Sequence, residues 1–290
     1  MRRCFVGAIA LLLLATAAAG SPLGPDGVAG NRLPGKFTWF ELATGNPASA
    51  RAFYGAVFGW KFRDVEGAPA SYALIENESG KVGGMFRHAP PEGSKVGARW
   101  LALISVPDVQ QAARVVRESG GAVLVQPKTV RGRGTHAVFR DPDGAVFGVL
   151  AAEDGDPPDT PVEQDDFFWL DLFAPDPARA AAFYARLAGY GVDRGEIAGR
   201  ERTVLSTNGI ARAGIAQLPS GMQQAAWLPY VLVDDVAATL ERVRSAGGKV
   251  VMQPRADLLD ANIAVIADRE GGTLGIVKWV NGTDAAGAPR

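Results

Sequence analysis

Two short phrases of this chain place an indole two residues before a carboxylate. Trp39 precedes Glu41 in Phe37-Thr-Trp-Phe-Glu-Leu, and Trp169 precedes Asp171 in Phe167-Phe-Trp-Leu-Asp-Leu. Both phrases carry the aromatic content of a β-strand, where alternate residues share a face, so each indole and its carboxylate point the same way. On an enclosed face the charged form of such a carboxylate is disfavoured and its pKa rises. It can then act as a general acid or base, or accept hydrogen bonds from a bound ligand. The same residues equally suit a carboxylate held by an arginine or a backbone donor. Trp100, Trp227 and Tyr230 add flat apolar surface that serves either as pocket wall for a planar molecule or as core.

These phrases belong to a repeat. Asn46-Pro47 through Phe53-Tyr54 returns as Asp176-Pro177 through Phe183-Tyr184. Val106-Pro-Asp-Val109, Gly120-Gly121 and Gln126-Pro127 return as Val233-Asp-Asp-Val236, Gly247-Gly248 and Gln253-Pro254. Asp141-Pro-Asp-Gly144 is echoed by Asp268-Arg-Glu-Gly271. The copies span 36–152 and 166–280, and the Pro- and acid-rich stretch 153–165 reads as a linker. Two copies predict an intramolecular pseudo-dimer rather than a solenoid.

Within each copy the pattern runs strand, helix, several strands, twice over. Asn46 suits a helix cap with Pro47 at the first position. Ala50, Phe53, Tyr54, Val57 and Phe58 form one helical stripe, read as core, which Gly59 ends. Val109, Ala112, Ala113 and Val116 form the next. Strands are expected near 60–65, 71–76 and 82–86, then near 100–106, 122–125, 135–140 and 146–150. Asp141-Pro-Asp-Gly144 reads as a turn. Arg131-Gly-Arg-Gly134 reads as a solvated cationic loop, or as one that closes over an anion.

The 290 residues hold 30 basic and 31 acidic side chains, 47% hydrophobic and 21% charged. This describes globular domains without a basic stripe, so no nucleic-acid partner is expected. Arg2 and Arg3, the apolar run Phe5 to Ala15 and Ala17-Ala18-Ala19 have the layout of a signal peptide over 1–20. A secreted or periplasmic protein beginning near Ser21 follows, with no membrane attachment after processing. Cys4, the only cysteine, would leave with the leader.

The βαβββ module used in pairs, with Phe-Tyr on its first helix, F-x-W-x-E-L, A-F-Y-x-x-x-F-G-W and V-G-G-M at Val82 to Met85, resembles the vicinal-oxygen-chelate superfamily of glyoxalases, bleomycin-resistance proteins and dioxygenases. The resemblance implies an α+β fold: a tandem pair of glyoxalase-like domains, each made of two βαβββ modules forming a half-open barrel around a cavity. It also implies metal-ligand positions on the first and late strands of the modules. Those positions hold Trp39 and Gly148 in the first copy, Trp169 and Gly275 in the second, with Trp100-Leu101 and Trp227-Leu228 opening the second modules. Indole nitrogen only donates, and glycine offers no ligand. His88 and His136, the two histidines, read as rim or surface residues.

No metal and no cofactor are therefore expected. The first functional reading is binding of a small molecule, aromatic or carbonyl in nature, with Trp39, Trp100, Trp169, Trp227 and Tyr230 lining the cavities. The second is a glyoxalase-type lyase or isomerase using Glu41 and Asp171 as its acid–base groups. The third is an interaction protein whose cavities are vestigial.

Overall fold

The computed structural model describes residues 23–66, 68, 72–88, 97–197 and 200–279. The expected leader, 1–20, lies outside the described residues. The first copy runs β1 (Phe37–Thr44), α1 (Pro47–Phe58), β2 (Lys61–Asp64), β3 (Ala73–Glu76), β4 (Lys81–Arg87), β5 (Ala98–Ser105), α2 (Val109–Glu118), β6 (Ala122–Val130), β7 (Gly134–Arg140) and β8 (Val146–Ala152). The second runs β9 (Phe167–Ala174), α3 (Pro177–Ala188), β10 (Gly191–Ile197), β11 (Arg200–Thr207), β12 (Ile210–Gln217), β13 (Ala226–Leu232), α4 (Val236–Ser245), β14 (Lys249–Met252), β15 (Ile263–Ala267) and β16 (Thr273–Val277).

Local chemistry sets the helix ends. Asn46 accepts from the Ser49 amide, Pro47 opens α1, and Gly59 closes it at φ 71°, a left-handed conformation that glycine adopts without steric cost. Asp176, Pro177 and Gly189 repeat this at α3.

Each copy forms one eight-stranded sheet, ordered β2-β3-β4-β1-β5-β8-β7-β6 and β10-β11-β12-β9-β13-β16-β15-β14. The two modules join where β1 meets β5, and β9 meets β13, antiparallel. The ends of each order do not pair with each other, so the barrels are half-open. The fold is α+β, two glyoxalase-like domains in tandem.

The copies diverge at one shared dipeptide. The strand expected near 122–125 runs on through Pro127 to Val130, with register shifts across Val123–Lys128. Because β6 is an edge strand, a missing N–H there breaks no interior ladder. At Pro254 the counterpart β14 has already stopped. Only the first copy therefore extends a long β6–β7 hairpin, and its tip carries Arg131 to Gly134.

The convex sheet faces meet across the four helices. One core joins the first module of copy one (Phe53, Val57) to the second module of copy two (Val236, Leu240), and the other joins α2 to α3. Phe40 stacks on Phe167 at 3.7 Å between ring centres. The linker is pinned to the first copy: Asp156, fully buried, accepts from the Leu33 amide at 2.6 Å and Ser105 Oγ at 2.7 Å.

Candidate functional site

The concave face of the first copy carries Trp39 and Glu41 from β1, with Leu101 and Leu103 from β5 and Leu150 from β8. Glu41 is not alone there. Arg133, from the hairpin tip, is 5% exposed and donates Nη1 to Glu41 Oε1 at 2.6 Å. Tyr72, just before β3, donates its hydroxyl to the same oxygen at 3.0 Å and accepts from Trp39 Nε1 at 3.0 Å. Burial first, then the Glu41 charge, push the Tyr72 phenol well up. The hairpin tip, read as a solvated cationic loop or one that closes over an anion, is divided: Arg131 is exposed, while Arg133 turns inward over the sheet and is buried.

His136, read as a rim residue, lies half-buried on this face because β7 alternates. Ala137 and Phe139 enter the helix-side core, so His136 and Val138 turn inward. Burial, reinforced by Arg133, lowers its pKa to about 4. His88 is exposed.

The second copy gathers the same groups from other positions. Asp171 is buried and accepts from Trp169 Nε1 at 3.1 Å and the Tyr230 hydroxyl at 3.3 Å. Burial raises its pKa, partly opposed by the Arg202 charge. Strand register gives the correspondence. Leu74 pairs with Gly84 and Val204 with Gly214, the glycines opposite Glu41 and Asp171. Tyr72 and Arg202 are therefore equivalent positions. Leu103 pairs with Gly148 and Tyr230 with Gly275, so the second tyrosine stands where the first copy has leucine. Each face holds tryptophan, carboxylate, tyrosine and arginine, but the last two arrive on different elements.

Trp100 and Trp227, expected to line the cavities, sit on the opposite face. Each precedes the concave Leu101 or Leu228 by one residue, and strand alternation turns it toward the helices. Trp100 donates Nε1 to the Tyr54 hydroxyl at 2.8 Å, and Trp227 to that of Tyr184 at 2.8 Å. Those tyrosines cross to the other copy: Tyr54 donates to Asp268 Oδ2 at 2.8 Å and Tyr184 to Asp141 Oδ2 at 3.0 Å. The other Asp141 oxygen accepts from the Asp143 and Ala145 amides. One carboxylate thus shapes the turn and ties the copies together.

A pocket of about 370 Å³ opens beside the second concave face, with Phe37, Phe168, Trp169, Ile210 and Arg212 among its walls. Arg212 holds Asp159 through two bonds, at 2.6 and 2.9 Å, and Lys36 reaches Asp159 at 3.0 Å. Burial lowers the Lys36 pKa, and Asp159 opposes that shift. Glu41 and Asp171 lie outside this lining. Trp169 connects pocket to carboxylate: it is among the residues lining the one, and its Nε1 binds the other.

The residues do not fit a metal at the expected ligand positions. A Cβ built on Gly148 would meet Leu103 Cγ at 2.6 Å, and one on Gly275 would meet the Tyr230 ring at 2.0 Å. The Trp39 and Trp169 indoles are committed as donors. Among the described residues no three His, Cys, Asp or Glu side chains converge as a ligand set.

Sequence reasoning noted Arg133 in a cationic loop and His136 as a rim or surface histidine without placing either beside Glu41, and it missed Tyr72 and Arg202. Tyr72 and Arg202 lie in unremarkable stretches, and no motif marks them.

Comparison with known proteins matches residues 36–149 to the glyoxalase/bleomycin resistance protein/dioxygenase superfamily. Residues 168–277 match a glyoxalase-like domain. The chain is 27% identical over 243 residues to "Putative glyoxylase CFP32" of Mycobacterium tuberculosis, covering 83% of this chain and 93% of that protein. It is 28% identical over 261 residues to "Anthracycline biosynthesis protein DnrV" of Streptomyces peucetius, covering 82% and 95%. Its fold is similar to that of the Mn(II)-bound glyoxalase from Novosphingobium aromaticivorans, with TM-score 0.56, 15% identity, and 85% and 83% of the chains covered. It is equally similar to 2,2',3-trihydroxybiphenyl 1,2-dioxygenase from Sphingomonas wittichii strain RW1, with TM-score 0.56, 12% identity, and 88% and 94% covered.

Proposed function

The chain belongs to the glyoxalase/bleomycin resistance protein/dioxygenase superfamily, with two of its domains in tandem, and from that premise we propose that it is an exported protein that binds small planar molecules without a metal. The observation that carries this reading is Trp169. It lines a pocket of about 370 Å³, within the size range of small-molecule sites, and its Nε1 is fixed by buried Asp171. A ligand there would stack on aromatic walls, and the Lys36–Asp159–Arg212 cluster would orient its polar end. In the first copy Trp39, Tyr72 and Arg133 provide the counterpart. Glycines backed by Leu103 and Tyr230, at the positions where the family resemblance implies metal ligands, support metal-independent binding. Export rests on Arg2, Arg3 and the apolar run that follows them.

The test is native mass spectrometry and tryptophan fluorescence on chelator-treated protein with a panel of aromatic and small carbonyl compounds. Saturable binding unaffected by chelation, with a fluorescence response reduced in Trp169→Phe, is expected. Binding that appears only after a transition metal is restored would overturn the reading.

One observation favours a second reading, a glyoxalase-type lyase or isomerase acting on a small carbonyl compound. Burial holds Asp171 toward its protonated form, as a general acid requires. Turnover that disappears in Asp171→Asn while ligand binding persists would select it.

A further inference from the structure

We propose that the first copy contains a site for a small carboxylate, gripped by the Nε–Nη2 edge of Arg133 with His136 beside it; this deepens the small-molecule reading and rests on it. The Arg133 side chain makes all its described hydrogen bonds through Nη1: to Glu41 at 2.6 Å, to the Leu23 carbonyl at 3.1 Å and to Tyr72 at 3.3 Å. Its Nε and Nη2 are buried and have no partner, and neither does His136 Nδ1. Buried donors are seldom left unpaired. Nε–H and Nη2–H are adjacent and parallel, the fork that matches the two oxygens of a carboxylate. The unpaired atoms thus form a receptor edge rather than a scatter of defects.

The surroundings leave that edge available. The segment entering the first copy crosses the hairpin, with the Leu23 amide on the Gly132 carbonyl and Leu23 against the concave apolar cluster. Gly24 lies over the Arg133 backbone and Cγ, so this segment covers the stem of the arginine and uses only Nη1. Leu74, Leu101 and Leu150 offer apolar wall for the remainder of a ligand.

Charge balance assigns His136 its part. Arg133 is already matched by Glu41, so a second carboxylate would add an uncompensated buried negative charge. The charged groups that bear on His136 are Arg133 from the hairpin tip, Glu41 from β1 and Lys128 from β6. His136, whose buried Nδ1 has no partner, can take up a proton, and a bound carboxylate would favour its doing so. Ile263 occupies the equivalent place in the second copy, pairing with Val277 as His136 pairs with Leu150. One carboxylate per chain follows.

Titration calorimetry on the full chain tests this with acetate and benzoate against acetamide and benzamide, at about pH 5.5 and pH 7.5. The expected result is one carboxylate per chain, at least about tenfold tighter than its amide, weaker at the higher pH. Proton uptake should show as a dependence on buffer ionisation enthalpy. Arg133→Lys keeps a cation for Glu41 but loses the fork, so carboxylate affinity should fall about tenfold or more. His136→Asn, with Arg133 intact, should remove the proton uptake. Amides that bind as tightly as carboxylates would show that the edge holds only water; this inference would fall and the small-molecule reading would stand. Carboxylate binding unchanged in both variants would also overturn it. If neither class binds, and the aromatic panel fails as well, both readings fall.

Discussion

Tyr54, on the first helix of one copy, donates its hydroxyl hydrogen to Asp268 of the other at 2.8 Å. Tyr184 and Asp141 repeat the bond in the opposite direction. Each hydroxyl also accepts from a tryptophan, so a buried phenol is satisfied as donor and as acceptor. The two copies share these bonds as well as their cores, and their stability should be coupled.

Removing a partner from this lock should destabilise the whole chain. Tyr54→Phe or Asp268→Asn should each cost about 1–3 kcal/mol, the penalty for a buried polar group left unpaired. The double substitution should cost less than the sum, because both remove one interaction. Urea unfolding of the four proteins measures this. Strictly additive losses, with a separate transition for each copy, would show that the lock does not join them.

The two concave carboxylates should respond unequally to amide substitution. Glu41→Gln leaves Arg133 as a buried cation without its counter-charge, a change that costs about 3–5 kcal/mol. Asp171→Asn keeps one acceptor oxygen, for Trp169 or for Tyr230, which bind different oxygens of Asp171, and burial already disfavours the Asp171 charge. Its loss should stay within about 1–2 kcal/mol. Melting temperatures of the two variants decide this, and equal losses would contradict the asymmetry.

His136 should make the fold sensitive to acid. Its folded pKa of about 4 lies below an unfolded value of about 6.5, so between the two the unfolded chain binds more protons. Stability from this group is complete above the unfolded value and is lost as pH falls toward 4. Asp141, Asp166 and Asp268 are raised by burial, Asp166 to about 6, and act in the opposite sense, losing stability as pH rises through their folded values. The His136 contribution is therefore read as the difference between the unmodified chain and His136→Asn. That difference should diminish from about pH 6.5 downward in the absence of ligand. A difference independent of pH would place His136 in water.

The sequence alone was enough for the order of elements and their duplication, because those signals are local and repeated, while the half-open barrel was implied by the family resemblance. The Asn46-Pro47 and Asp176-Pro177 starts, the Gly59 and Gly189 stops and the strand alternation need no distant partner to be read. Alternation also put Trp39 beside Glu41 and Trp169 beside Asp171. It could not say which face of β5 and β13 was concave, and Trp100 and Trp227 proved to be on the helix side. Tertiary structure alone decided what surrounds each carboxylate. Arg133 reaches Glu41 because edge strand β6 tolerates Pro127 and extends the hairpin, whereas β14 stops before Pro254. Tyr72 and Arg202 share a position yet differ in type, so the repeat hides their common use. Such partners lie far apart along the chain, and only strand register and loop length bring them together.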